Sequence, residues 1–292
     1  MRVIGNLLNR NLKLFFRDKA SVFFSLLSVI ILIALYLVFL ADVQYDSVVE
    51  VTGKIDGIRW LINSWIMAGL VSIISFTSTL GAFGIMVNDK ERENSSDFLV
   101  SPINNVKIVF SYVGCAGIVG IIMTALSAVV AEIFICISGG EVMEAKLIFQ
   151  VIGIMLLSVL MATAITMFIS SLIKTSSSFT AVSTVIGTLI GFLTGIYIPI
   201  GSLPSAVQKV IMVFPPSHAG LILKKLIMEK PLDKVFHNAP AEALQSYKET
   251  YGVDFILGGH NITMGQSILY IVAVTVVFLV LTLIVHKKSK VK

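Results

Sequence analysis

The densest chemistry in this chain is a short block of charge followed by apolar side chains. Asn88-Asp89-Lys90-Glu91-Arg92-Glu93 leads through Asn94-Ser95-Ser96 into Asp97-Phe98-Leu99-Val100-Ser101-Pro102. No soluble domain surrounds the block, so it looks like a handle for another protein. The chemistry it suits is recognition. Asn94 or Ser95 can cap a short helix, with Asp97 in its first turn, where negative charge suits the dipole. Ser101-Pro102 ends it, because the residue before proline avoids the α region. Phe98 and Leu99 then form an apolar knob inside a rim of Glu91, Arg92 and Glu93. The alternative is a solvated loop between helices.

Few other residues are candidates for chemistry. Glu132 is the sole acid well inside an apolar stretch, and an ionisable group there is a functional hypothesis by default. It could meet a cationic substrate, hold a polar network or reach the outer interface. Ser64, Ser72, Ser75 and Thr79 lie close to one helical face and could line a cavity; such hydroxyls also bond back to their own helix. Ser183, Gly187, Gly191 and Gly195 recur every fourth residue, a flat stripe for close helix approach, within one subunit or between two. The two cysteines, Cys115 and Cys136, fall in one helix about 30 Å apart at ~1.5 Å per residue. They cannot pair there, because a disulfide needs Cα atoms within roughly 7 Å. His218, His237, His260 and His286 are scattered. No spacing suggests a metal site.

The elements that must hold these residues are membrane helices. Charged residues make up 13% of the chain and hydrophobic ones 56%, against about 25% and roughly 45–50% in soluble domains. The deficit of charge excludes a soluble fold and leaves no room for a catalytic domain. The expected fold class is an all-α membrane protein in two parts. Residues 1–20 form an amphipathic helix at the cytoplasmic interface, with Val3, Ile4, Leu7, Leu8, Leu12 and Phe15 on one face and Arg2, Asn6, Asn9, Arg10, Lys13 and Arg17 on the other. Residues 21–292 form the permease-like bundle, with spans at about 21–41, 60–87, 108–137, 148–173, 178–198 and 266–285. Each is long enough for ~30 Å of hydrocarbon. The loop 199–265 begins apolar and is interrupted by Pro199, Pro204, Pro215 and Pro216, which predicts broken, re-entrant helices; its second half reads as a polar cap. With the N-terminus inside, the inner segments hold 13 of the 22 lysines and arginines, so both termini are expected in the cytoplasm. The formal charge of +5 belongs to these flanks rather than to nucleic-acid binding.

In order and spacing these blocks resemble the ABC type-2 transporter permeases. The residues that carry the resemblance are Asp97-Phe98-Leu99-Val100-Ser101-Pro102, then Gly195-Ile196-Tyr197-Ile198-Pro199-Ile200-Gly201-Ser202-Leu203-Pro204, then Phe214-Pro215-Pro216-Ser217-His218-Ala219. One departure is visible: Glu93-Asn94-Ser95-Ser96 stands where the family usually carries Gly-Thr. The resemblance implies two paired permeases, the same chain or a homologue, driven by two cytoplasmic ATPase subunits. It also makes 91–102 the coupling element. The chain has no Gly-x-x-x-x-Gly-Lys-Ser/Thr phosphate loop. ATP and Mg are therefore expected on the partner ATPase, with no cofactor and no catalytic residue on this chain.

The reading is a permease subunit of an ATP-driven exporter in a bacterial cell membrane. Its cargo would be an amphipathic drug, an antimicrobial peptide or a lipid, with a lipid-linked glycan as a close alternative. A secondary transporter or channel, and a non-transporting immunity or scaffold protein, are the alternatives from other classes. A secondary transporter would show midplane breaks and more intramembrane charge; a scaffold would need no charged knob.

Overall fold

The computed structural model describes residues 2–19, 22, 34, 36, 41–92, 105–257 and 259–289. The expected first span, apart from residues 22, 34, 36 and 41, lies outside the described residues. So do Glu93, Asp97, Phe98, Leu99 and Pro102.

Within the described residues the chain is almost wholly helical. An N-terminal helix α1 (Arg2–Arg17) and a short α2 (Ala41–Thr52) precede four long helices: α3 (Ile58–Glu91), α4 (Asn105–Ile137), α5 (Ala145–Leu172) and α6 (Ser176–Leu193). A single 3-10 turn, Ile200–Ser202, leads to α7 (Ser205–Val213) and α8 (Pro215–Ile227). Then come α9 (Glu229–Val235), α10 (Ala241–Thr250), a two-residue antiparallel ladder of β1 (Ile256–Leu257) and β2 (His260–Asn261), and α11 (Met264–Ser289). Among the described residues five helices, α3 to α6 and α11, are long and apolar enough to cross a membrane. They match the expected spans after the first to within a few residues at most ends.

The bundle is built around α3. It packs on α4, α5, α6 and α8, and more lightly on α1, α2 and α9. Trp65, Leu61, Ile74 and Phe83 on it are completely enclosed. At 34 residues it runs about 50 Å at ~1.5 Å per residue, so it extends beyond the ~30 Å hydrocarbon layer. The apolar face of α1 is not free. Phe15 is buried, Leu8 and Leu12 pack on the core, and the helix lies along α4 and the end of α3.

The fifth span ends earlier than its hydropathy suggests, at Leu193 rather than near residue 198. Gly195 sits at φ +65°, and the chain reverses there. Gly195 N–H donates to Phe192 C=O and Ile196 N–H to Gly191 C=O, both at 3.0 Å. This is the Schellman pattern of a left-handed helix terminus. The reversal lays the Tyr197 ring over Gly191, where an added Cβ would sit 2.2 Å from ring carbons. Apolar composition continues past this point, but the helix does not.

The expected broken-helix element is present as a bent pair. α7 and α8 meet at 89°, with Pro215 in the first turn of α8, where its missing N–H costs nothing. Pro199 and Pro204 stand immediately before the 3-10 turn and α7. Ser72 of α3 donates to the Pro216 carbonyl at 2.9 Å, and Ser217 donates to the Leu193 carbonyl at 2.5 Å. The broken backbone is thus satisfied by protein. The polar half of the loop caps this end. Trp65 Nε1 and Lys224 Nζ both donate to the Tyr251 carbonyl, at 2.7 and 3.1 Å, and Lys225 pairs with Asp254 at 2.8 Å.

Candidate functional site

At one end of the bundle, three consecutive residues finish α3 and each reaches a different element. Asp89, 5% exposed, accepts a forked ion pair from Arg10 of α1, with Arg10 Nη2 2.9 Å from Oδ1. Tyr112 of α4 donates to Asp89 Oδ2 at 2.7 Å. This contact holds the Arg10 guanidinium above its ordinary pKa, chiefly through the hydrogen bond to Asp89. Beside it, Asn11 donates to Ser111 at 3.4 Å. Lys90 donates to the Ile173 carbonyl at 3.3 Å, between α5 and α6. Glu91 accepts the Ser176 N–H at 3.0 Å, at the first residue of α6. A carboxylate there complements the helix N-terminus.

The sequence placed Glu91 on a rim for a partner and Arg10 on a solvated face. The structure gives both a partner inside the chain, while Arg92 is exposed. The cluster was missed because Arg10 and Asp89 are 79 positions apart. Within the charged run 88–93 nothing in the sequence set Asp89 apart from Glu91 and Glu93.

α6 presents an open polar face. Thr180, Thr184 and Thr188 are exposed, and each donates to the carbonyl four residues back, at 2.8 to 2.9 Å. Val185, Leu189 and Phe192 are exposed beside them. By contrast, every exposed residue of α11 from Leu269 to Ile284 is apolar. The glycine stripe is not uniform. Gly191 and Gly195 are filled from within the chain, by Tyr197 and Ile200, while a Cβ at Gly187 would meet nothing within 4 Å.

The hydroxyls of the second span face protein. Ser72, Ser75 and Thr79 are at most 1% exposed. Ser75 shares a hydrogen bond with Ser158 of α5 at 2.6 Å and donates to the Ser72 carbonyl. Thr79 donates to the Ser75 carbonyl. Within this chain Ser72 and Ser75 tie helices together, Thr79 bonds back to its own helix, and none of the three is open to solvent.

Glu132 lies near the opposite end of α4 from Asn105, where its Oε1 accepts the Met143 N–H at 2.7 Å. Its Oε2 is buried with no hydrogen-bond partner among the described residues. The side chain lines a cavity of about 370 Å³.

Long apolar helices, a bent helix pair satisfied by protein, and charge gathered at one helix end define a multi-pass membrane protein. The profile of the ABC-2 family transporter proteins matches residues 41–284, and the chain belongs to that family. It is thereby a membrane transporter subunit of an ABC system, which works with an ATPase partner. No curated protein matches the chain in sequence.

Proposed function

We propose that the chain is the translocating subunit of an ATP-driven exporter in the bacterial cell membrane, with both termini in the cytoplasm. Two permeases, this chain twice or this chain with a homologue, face each other across α6. Two cytoplasmic ATPase subunits hold ATP and Mg and dock on 91–102, with Phe98 and Leu99 as the apolar knob. The chain itself catalyses nothing. The cargo is amphipathic: a drug, an antimicrobial peptide or a lipid.

The observation that carries this reading is the threonine face of α6. Hydroxyl groups at Thr180, Thr184 and Thr188 are exposed in this chain on a helix apolar enough to span. A polar stripe is better placed against a second subunit or a wet pathway than against lipid tails. The route to it is short. Glu91, at the foot of the docking segment, is bonded to the first residue of α6. Lys90 holds the α5–α6 junction and Asp89 holds α1. A push on 91–102 therefore reaches α6 directly through the Glu91–Ser176 contact and, through Lys90, the segment that leads into it, while α1 moves with α3. The ATPases close on ATP, α6 of each permease shifts, and the cargo leaves past the α7–α8 bend.

The test is reconstitution of the permease with its ATPase in lipid vesicles. ATP should drive directional movement of a lipophilic dye, and Phe98→Asp should abolish it by placing a charge in an apolar socket, at a cost of several kcal/mol. Undiminished partner recovery and transport in Phe98→Asp would remove 91–102 as the coupling element. Dye movement that ignores ATP would favour the secondary-transporter alternative.

A further inference from the structure

The cavity beside Glu132 has a composition that the transport reading leaves unused. It lies at the end of the bundle opposite the Arg10–Asp89 pair. Here α4 ends, α5 begins, α8 gives way to α9, and α11 starts. Its volume of about 370 Å³ falls in the range of small-molecule sites, roughly 300–1,000 Å³. One side is apolar, made by Trp60, Ile135, Leu147 and Met264. Trp60 and Ile135 are 6% and 2% exposed, so this wall is fixed rather than a surface scatter.

The other side is unbalanced in charge. Glu144 and Lys230 pair at 2.6 Å, which holds the Glu144 carboxyl below its ordinary pKa. That leaves Glu132, Glu141 and Glu229 against Lys146. Glu132 is the most confined of the three. One oxygen is held by the Met143 N–H, and the other is buried without a donor. The Cys136 thiol adds only a long contact to the first oxygen, at 4.0 Å, so this partly desolvated carboxylate is under-compensated at its second oxygen. A cation in the adjoining space would supply the missing charge at short range, where the low local dielectric makes the attraction large.

The surroundings specify the rest of the ligand. The apolar wall of Trp60, Ile135, Leu147 and Met264 lines the same cavity as these carboxylates. A ligand reaching it would carry a positive group on an apolar body. We propose that this cavity is a binding site for a lipophilic cation, distinct from the seam along α6. The proposal deepens the exporter reading by naming a cargo class, and rests on that reading only for the role of the bound molecule.

Binding is tested at equilibrium, on the full chain in phosphatidylcholine nanodiscs, without ATPase or nucleotide. The outcome is therefore separate from the success of any transport assay. Tetraphenylphosphonium is the probe and tetraphenylborate its isosteric anion. The chain has two tryptophans, and Trp60 is in the cavity wall, so its fluorescence reports occupancy; Trp60→Phe should remove the response. The expected result is saturable quenching by the cation and none by the anion. Glu132→Gln keeps an acceptor for Met143 N–H and should weaken binding at least about tenfold. Glu141→Gln with Glu229→Gln, both at exposed positions, should weaken it several-fold without disturbing the fold, which keeps the test decisive if Glu132→Gln misfolds. Non-saturable quenching, equal response to both ions, or binding unchanged in the glutamine variants would overturn the site.

Discussion

α3 and α6 both carry hydroxyl groups at helical spacing, and the bundle treats them in opposite ways. On α3, Ser72 and Ser75 reach carbonyl and hydroxyl groups of α8 and α5 and are sealed from solvent. On α6, Thr180, Thr184 and Thr188 bond to their own helix and stay exposed. The difference separates two uses of the same chemistry. Hydroxyls with partners on other helices hold the subunit together. Exposed hydroxyls bonded only to their own backbone, unlike the buried Thr79, leave a face open for something outside the chain.

The largest effect should divide the glycine stripe along this line. Gly191→Leu must displace the Tyr197 ring, 2.2 Å from the new Cβ, and should abolish folded yield in size-exclusion chromatography of detergent extracts. Gly187→Leu meets open space within the chain. It should fold normally and lose pairing or transport instead. Equal yields for both would mean that the stripe faces one environment throughout.

Next is the pin between α1 and α3. Arg10→Met removes the forked ion pair from the Asp89 carboxylate, 5% exposed, while Tyr112 still donates to it. The cost should be on the order of 2 kcal/mol, below the range for a fully buried ion pair because Arg10 is partly solvated. Thermal unfolding of the purified chain measures it. Double replacement Arg10→Met with Asp89→Leu should recover much of that stability but not ATP-driven movement, if the pin transmits as well as holds.

A smaller contrast pits Ser75→Ala against Thr184→Val. The first loses a buried hydrogen bond to Ser158 and should cost about 1 kcal/mol. The second should leave subunit stability within about 0.5 kcal/mol, while changing transport. The smallest effect is in the cap. Burial pushes the Asp254 carboxyl up, yet hydrogen bonds from Lys225 and Asn261 hold it below its ordinary value. A lowered folded pKa stabilises above the unfolded value of about 3.9. That contribution disappears as pH falls through the lower folded value. Asp254→Asn should therefore flatten the acid limb of the stability profile and leave the neutral-pH difference modest.

Much of the helix layout was legible in the sequence, because a bilayer fixes span length. Four later spans of the reading, 60–87, 108–137, 148–173 and 266–285, correspond to Ile58–Glu91, Val106–Ile137, Ala145–Leu172 and Met264–Val285. The α7–α8 break was legible from its prolines. The end of α6 was not, since it depends on a backbone reversal at Gly195 that apolar composition conceals. The centre of the bundle was not legible either. α11 has the highest mean hydropathy of the spans, 3.1, and only 11% of that stretch is buried, while α3, at 1.9, is 72% buried. Lipid tails are as apolar as leucine, so hydropathy does not rank helices by centrality. The candidate sites divide likewise. Glu132 stood out as a lone intramembrane acid, but Glu141 and Glu229 lie in cap and loop sequence and join it only in three dimensions. The block 88–93 was recognised as charged. That its first half turns inward, to α1 and α6, needed the fold.

The central claim is that the threonine face of α6 meets a second permease. Its most direct test is cross-linking in native membranes, in a background with Cys115→Ala and Cys136→Ala. Single replacements Thr180→Cys, Thr184→Cys and Thr188→Cys on α6 are compared with Val276→Cys on α11, using a short bifunctional thiol reagent. The account predicts a permease–permease product at the threonine positions, with transport blocked when it forms, and none at Val276. Cross-linking at Val276 instead, or a transport-competent protein that never cross-links through α6, would contradict it.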